Sequence, residues 1–595
     1  MPASLQLASA AILLISAIEP LFGLLFLAVA MPLGTYVWAF VRPPFESAAV
    51  VEILLTPFLL SAGLRLSLDA RSLPSRIGAA GAVLAVVVAA SAAVQLAIEQ
   101  QATTWPDVFL SGLWQYLAKR YFADSGSFIS LHTAAAWIEG IALALCAEAI
   151  LRTSDIGRRL AAPLLMIGAT AAAATTWVRF VQISLRREHP LSAAIGFLHS
   201  PRINTLYTDV NAAGSLFAMY FAAAVWLALR GGSILDARWR LSWYWLSVAM
   251  ISLALWLTHS RAAIVAPFVS VGMLWLVTHR PSRRTLAIGG VAAAALLAGL
   301  IIFSPTETTQ SSSSESLGVR LHMAGIALRM TQQHPLFGIG LDQFRRVSQY
   351  FITPDFIARF PQAAVGENAH NNFLQILAEL GIIGLMAFAW LFVPLARSIG
   401  RRDVTFMALT GGVLAFLLTC LLGHPFLIVQ VLWLFMLVVG CSTGLVPAAT
   451  AIPRFQGWIA AVLVVGVLVS LPVRVWAARR TVDLNHVVIG AGPLSDKDDT
   501  ILYRLADERS RWFVSSRVRH IEIPLRLADD SKGPCRVDVR IDGQPANAAT
   551  PGSSEWIPVV IEIQPTSRDA ASRQLDLLVS GPRCQLKVGQ FATRE

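Results

Sequence analysis

The chain has 595 residues, 55% of them hydrophobic and 14% charged, and a positive mean hydropathy. That balance excludes a soluble globular protein of this size and reads as a polytopic membrane protein. The formal net charge of +11 does not point to nucleic acid, because the excess is mostly arginine beside apolar runs rather than a basic stripe interleaved with aromatics.

A helix needs about 20 apolar residues to cross a bilayer. Runs of that kind lie near 21–41, 49–66, 77–99, 133–151, 160–178, 212–229, 241–258, 262–278, 285–303, 373–396, 404–422, 425–446 and 457–476. A shorter run, 5–18, ends at Glu19-Pro20 and is either an extra span or half of an initial hairpin, so thirteen or fourteen spans are expected. The first run continues into a second without a small-residue cleavage site and is read as a retained helix, not a cleaved signal.

Lys and Arg resist translocation, so basic short loops mark the cytoplasmic side. Arg71 and Arg76, then Arg152, Arg158 and Arg159, Arg230, Arg238 and Arg240, Arg280, Arg283 and Arg284, and Arg397, Arg401 and Arg402 fall in alternate loops. In that register the 304–372 segment and everything after 477 face outward. The expected organisation is transmembrane helices over 1–303, a large outward loop over 304–372 and further transmembrane helices over 373–476. An outward β-sandwich over 477–595 completes an otherwise all-α fold.

The sandwich is read from alternating apolar positions in HIEIPLRLA (520–528), CRVDVRIDG (535–543), WIPVVIEI (556–563), QLDLLVS (574–580) and CQLKVGQF (584–591). Cys535 and Cys584 lie in it, and outside the cytoplasm they could form a disulfide. Two unpaired buried cysteines are the alternative, since spacing does not show proximity. Trp512 and Trp556 are expected to pack the sandwich core more readily than to stack on a ligand.

Several arginines fall on the outward side against the inside bias. Arg186, Arg187, Arg345 and Arg346 are read as snorkelling or contacting lipid headgroups. Arg202, in PRINTLYTDVNAAG, Arg261, in THSRAAIVA, and Arg320 sit in compact polar contexts, and their guanidinium groups suit phosphate oxygens. In HPLFGIGLDQF (334–344), Gly338 and Gly340 permit a sharp turn or close backbone approach, and His334 structures the loop or meets substrate.

The stretch AAVGENAHNNFLQILAELGIIGL (363–385) carries a polar start into an apolar helix. His370 there takes a proton near neutral pH. Glu367 either orients it or acts as the base itself. On an unbroken helix Gly381 and Gly384 share the face of His370 and admit a neighbouring helix, whereas Glu379 projects to the opposite face and is expected to pair with a neighbouring helix.

Taken together, TDVNAAG, the THSRAA turn, HPLFGIGLDQF and AHNNFLQILAELGIIGL resemble, in that order, the O-antigen ligase and O-antigen polymerase superfamily over roughly residues 200–390. The resemblance implies a GT-C-like, inverting glycosyltransferase of the bacterial inner membrane that needs no metal or cofactor. It would take a glycan from undecaprenyl pyrophosphate on the periplasmic side and pass it to a hydroxyl of lipid A core or of a second lipid-linked glycan. Carried over by motif, Arg202, Arg261 and Arg320 hold the pyrophosphate, His370 activates the acceptor, and Asn211 orders the arginine-bearing segment. Asn371, His334, Gly338, Gly340 and Gly381 support the site. A lipid-linked glycan flippase or secondary transporter, using Glu52, Glu139 and Glu148 within the membrane, is the competing class. A non-catalytic assembly protein is the third.

Overall fold

The computed structural model describes residues 2–41, 47–68, 75–102, 110, 114, 129–199, 209–230, 237–279, 313–351, 356, 368–399, 403–446, 454–481, 489–498, 501–515, 518–528, 531, 535–552, 555–564, 572–581 and 584–594. The expected span at 285–303 and the residues Arg202 and Glu367 lie outside that set. Two compact units are formed. One holds Met1–Ala89, Thr133–Phe344 and Phe351–Val465, and the other holds Ala90–His132, Arg345–Tyr350 and Gly466–Glu595.

Among the described residues nine helices are long and apolar enough to cross a membrane: Pro20–Ala39, Ser47–Leu68, Gly78–Ile98, Ile129–Thr153, Asp155–Leu185, Val210–Arg230, Arg261–His279, Asn372–Ser398 and Gln456–Trp476. Shorter apolar helices cover Ala3–Ile18, Ser242–Leu257, Val404–Thr419 and Val429–Gly444. The chain is a multi-pass membrane protein, as its composition requires. The initial run is a helix in its own right, ended at Glu19, whose carboxylate accepts from Leu21 N at the start of the next helix.

Small residues bring helices together where side chains would hold them apart. A Cβ on Gly412 would stand 2.7 Å from Met219 O, and Gly440 and Gly444 lie against the backbone of Ala144 and Glu148. Val210–Arg230 is buried over almost its whole length and packs on Val404–Thr419 and Arg261–His279.

Glu148, one of the acids weighed for transport, is buried and structural. Its carboxylate accepts from Arg76 N at 2.7 Å and from Ser75 Oγ, and Arg152 lies 3.6 Å away. The Arg76 guanidinium in turn donates to Thr443 O and Val446 O, capping the end of Val429–Gly444. A carboxylate at a helix start and a cation at a helix end both oppose the helix dipole.

The C-terminal strands form one nine-stranded antiparallel sheet: β1 (Ile489–Asp498), β2 (Ile501–Ser515), β3 (His520–Leu527), β4 (Arg536–Ile541), β5 (Gln544–Ala549), β6 (Ile557–Glu562), β7 (Ser572–Ser580), β8 (Leu586–Gly589) and β9 (Ala592–Arg594). Its order is β5-β4-β7-β2-β8-β3-β6, with β1 on β2 and β9 on β3. The long β2 changes partner, pairing Tyr503–Ala506 with β8 and Arg509–Ser515 with β7. Where a sandwich was expected the strands thus form one continuous sheet, with a single core that includes Ile521, Ile523, Val537, Val539, Leu575 and Leu577. Trp512 is in that core, as expected. Cys535 and Cys584 are disulfide-bonded, with Cα atoms 5.9 Å apart.

Candidate functional site

The helix Asn372–Trp390 begins in a clamp built from its own first residues. The Asn371 side chain caps it, accepting from Phe373 N at 3.0 Å and Leu374 N at 3.1 Å, and donates to Leu421 O at 3.0 Å. Asn372 N donates to both Cys420 O and Gly423 O, while its Oδ1 accepts from Phe426 N at 3.3 Å. Two adjacent asparagines therefore stitch the helix start to the 420–426 turn. The residue before them, His370, has φ 51, a left-handed conformation costing a non-glycine residue about 1–2 kcal/mol.

That stitching decides what His370 faces. His424, in the tethered turn, lies with its ring centroid 4.9 Å from that of His370. Its Nε2 is 3.8 Å from Asp209 Oδ2. Asp209 starts the Val210–Arg230 helix, where its other oxygen accepts from Asn211 N at 2.8 Å. Beneath the cluster Phe426 packs among Trp137, Phe388, Phe416 and Phe435, with ring centroids 5.1–5.6 Å away.

One turn into that same helix, Gly214 abuts Thr258, Ser260 and Ala263. There the chain reverses between the helices Ala237–Leu257 and Arg261–His279. Thr258 Oγ1 bonds Leu255 O at 2.7 Å and accepts from Ser260 N, and His259 takes φ 49. Arg261 is the first residue of the second helix and is exposed. Arg320 is half-buried on Ser313–Gln333, which packs against Asn372–Trp390.

The second half of the constellation corrects the projection made on an unbroken helix. Gly381 has φ 67 and ψ −170, so Asn372–Trp390 is two helices joined at a break. A break leaves carbonyls and N–H groups without helical partners, and the HPLFGIG loop supplies them. Ile339 N and Gly340 N donate to Ala378 O and Glu379 O, while Ile382 N and Ile383 N donate to Pro335 O and Leu336 O. Gly381 therefore admits this loop rather than a neighbouring helix, for a Cβ there would overlap the backbone of Leu336 and Phe337. Gly338, at φ 66, meets the backbone of Ala378 and Glu379 just as closely. The close approach expected of this glycine is realised, and Gly340 joins it at φ 118.

Glu379, buried, is pinned to the same loop and not to His370. Its carboxylate accepts from Asp342 N at 3.0 Å, Phe344 N at 3.2 Å and Gln375 Nε2 at 3.2 Å. Asp342, at φ 59, is held from its other side by Thr133 Oγ1 at 3.1 Å. His334 ends the preceding helix, its N–H on Met330 O and its C=O accepting from Gly338 N, which is the loop-structuring role.

Each of the three motifs THSRAA, HPLFGIGLDQF and AHNN thus contains one left-handed residue other than glycine, His259, Asp342 and His370. Such conformations persist only where surrounding contacts over-determine them, and they cluster at functional sites. The structure unites His370, Asn371, the start of the Asn211 helix and, through Gly214, the Arg261 turn. It adds Asp209 and His424, which sequence reasoning missed. The available signal was a further His-Pro pair, in GHPF at 423–426, opening the next apolar run.

Apolar helices long enough to cross a membrane, with two imidazoles and a carboxylate gathered at the starts of two of them and in the 420–426 turn, define a multi-pass membrane protein that carries a polar cluster. Residues 245–389 match the family described as O-antigen ligase, and this domain, which contains Arg261, Arg320, His370 and the Gly381 break, supports membership of the O-antigen ligase and polymerase superfamily. No curated protein matches the chain.

Proposed function

We propose that this protein is an inner-membrane glycosyltransferase that moves a glycan from undecaprenyl pyrophosphate to a hydroxyl acceptor on the periplasmic side. The acceptor is lipid A core or a second lipid-linked glycan. The observation that carries the reading is His370, within the O-antigen ligase match, held in a left-handed conformation beside a second histidine, which in turn meets a carboxylate.

In this reading His370 takes the proton of the acceptor hydroxyl as its oxygen attacks C1 of the donor sugar. The bond from C1 to the pyrophosphate oxygen breaks on the opposite face, inverting the anomeric carbon. Arg261, at a helix start where backbone N–H groups also favour anions, neutralises the departing pyrophosphate together with Arg202 and Arg320. Stabilising charge where it develops is the largest catalytic term in many enzymes, and guanidinium groups provide it here. Asn371 and Asn372 fix the base, and the HPLFGIG loop fixes the helix that carries it. Glu148, one of the acids a transporter would use, is already engaged in capping.

The test supplies undecaprenyl-pyrophosphate-linked glycan to the purified full-length protein with either lipid A core or a second donor molecule. His370→Ala should lower transfer by about 10²–10⁴-fold, the usual contribution of a positioned base, and Arg261→Ala should weaken donor binding. Undiminished transfer by His370→Ala removes the assignment, and which acceptor is extended separates ligase from polymerase.

A further inference from the structure

We infer that His424, backed by Asp209, is a proton-relay and positioning residue acting through His370. The inference rests on the reading of His370 as the acceptor-activating base. Three observations carry it. The rings of His370 and His424 lie 4.9 Å apart between centroids at an interplanar angle of 49°. At that separation the two imidazoles are direct neighbours, as a proton relay between them requires. The Asp209 carboxylate stands on His424, at Nε2, and is itself fixed by Asn211 N. The His424 and Asp209 side chains are 18% and 24% exposed, sheltered enough for the pairing to matter and open enough to pass a proton outward.

The turn bearing His424 is also built for placement. Asn371 and Asn372 bind Cys420 O, Leu421 O, Gly423 O and Phe426 N, that is, the backbone on both sides of His424. The stitches that hold the base to its helix hold its neighbour in the same geometry. This has the logic of a base whose partner is oriented by a third group.

The step balances without an outside reagent. As the acceptor oxygen forms its bond to C1, the hydroxyl proton passes to the ring of His370. The electron pair of the cleaved bond leaves on the pyrophosphate oxygen. A proton then moves from His370 to His424, where Asp209 compensates the positive charge, and is released to the leaving pyrophosphate or to water. His370 is left neutral for the next turnover.

The experiment compares His424→Gln and Asp209→Asn with wild type and His370→Ala in full-length protein in nanodiscs. Transfer from undecaprenyl-pyrophosphate-linked glycan is measured across pH and in D₂O, and binding of undecaprenyl pyrophosphate reports an intact donor site. His424→Gln is expected to lower kcat by about tenfold or more with KM little changed, to alter the solvent isotope effect and to displace the pH profile. Asp209→Asn should do the same more weakly, and the double variant should be no worse than His424→Gln, as members of one unit are non-additive. If His424→Gln fails to fold, Asp209→Asn carries the same readouts. Wild-type kcat, pH profile and isotope effect in His424→Gln, while His370→Ala is inactive, overturn the relay and leave the base standing. Activity in His370→Ala overturns the base itself.

Discussion

Replacing Gly381 with alanine tests whether the loop and the helix break are one device. At φ 67 and ψ −170 a side chain costs about 1–3 kcal/mol in backbone strain alone, before its Cβ meets the Leu336 and Phe337 backbone. Alanine is also about 1 kcal/mol better than glycine in a helix, so it favours healing the break. A continuous helix would use Ala378 O and Glu379 O for its own N–H groups and evict Ile339 N and Gly340 N. The alternatives are to bear the strain or to surrender the four loop bonds, worth together about 2–6 kcal/mol. Either way the closed loop loses about 2 kcal/mol or more, roughly thirtyfold in its opening equilibrium. Hydrogen exchange read by mass spectrometry should show that loss in peptides covering 335–344 and 378–385. Gly272→Ala, in a helix where the new methyl meets nothing within 4 Å, should leave both peptides unchanged. Equal protection in wild type and Gly381→Ala would refute the reasoning.

Glu379→Ala removes the acceptor of two backbone N–H groups and the Gln375 amide. It should destabilise the same loop by about 3 kcal/mol or more, seen as new proteolytic cleavage within 335–344, with Glu379→Gln milder. Asn371→Ala forfeits a cap worth about 1 kcal/mol and the tie to Leu421; a lowered melting temperature and a loosened 420–426 turn in hydrogen exchange are expected. Reducing the Cys535–Cys584 bond, which closes a loop of sequence separation 49, should cost the sheet about 4 kcal/mol, measured as protease sensitivity that appears with dithiothreitol. Arg511→Leu strands the buried Asp576 carboxylate, its partner at 2.9 Å through Nη2, and should destabilise the sheet by about 3–5 kcal/mol. Replacing both with apolar residues should restore part of that loss in denaturant unfolding.

How far the site could be read depended on whether its signals were local. The glycines of HPLFGIG and the asparagines after His370 announce turns and caps through their own backbone preferences, and they occupy such places. The projection that gave Gly381 a helical neighbour failed because it assumed helical dihedrals through a residue whose partners lie more than forty positions earlier, in Pro335 and Leu336. Glu379 was correctly separated from His370, yet its attachment to Asp342 and Phe344 carries no periodic signature. His424 was passed over because a histidine after an apolar run looks like any interfacial residue until the 420–426 turn is folded against Asn371.

By itself the sequence determined the membrane class, from apolar runs long enough to cross a bilayer, and the strands of the tail, from alternation such as that of β3. It also determined which segments must turn, because left-handed backbone and helix caps draw on a few residue types. Only the tertiary structure decided that Asp209, His370 and His424 form one cluster, that a loop completes a broken helix at Gly381, and that Cys535 reaches Cys584. Those facts rest on hydrogen bonds and contacts between residues far apart in the chain, and local spacing carries no record of such partners.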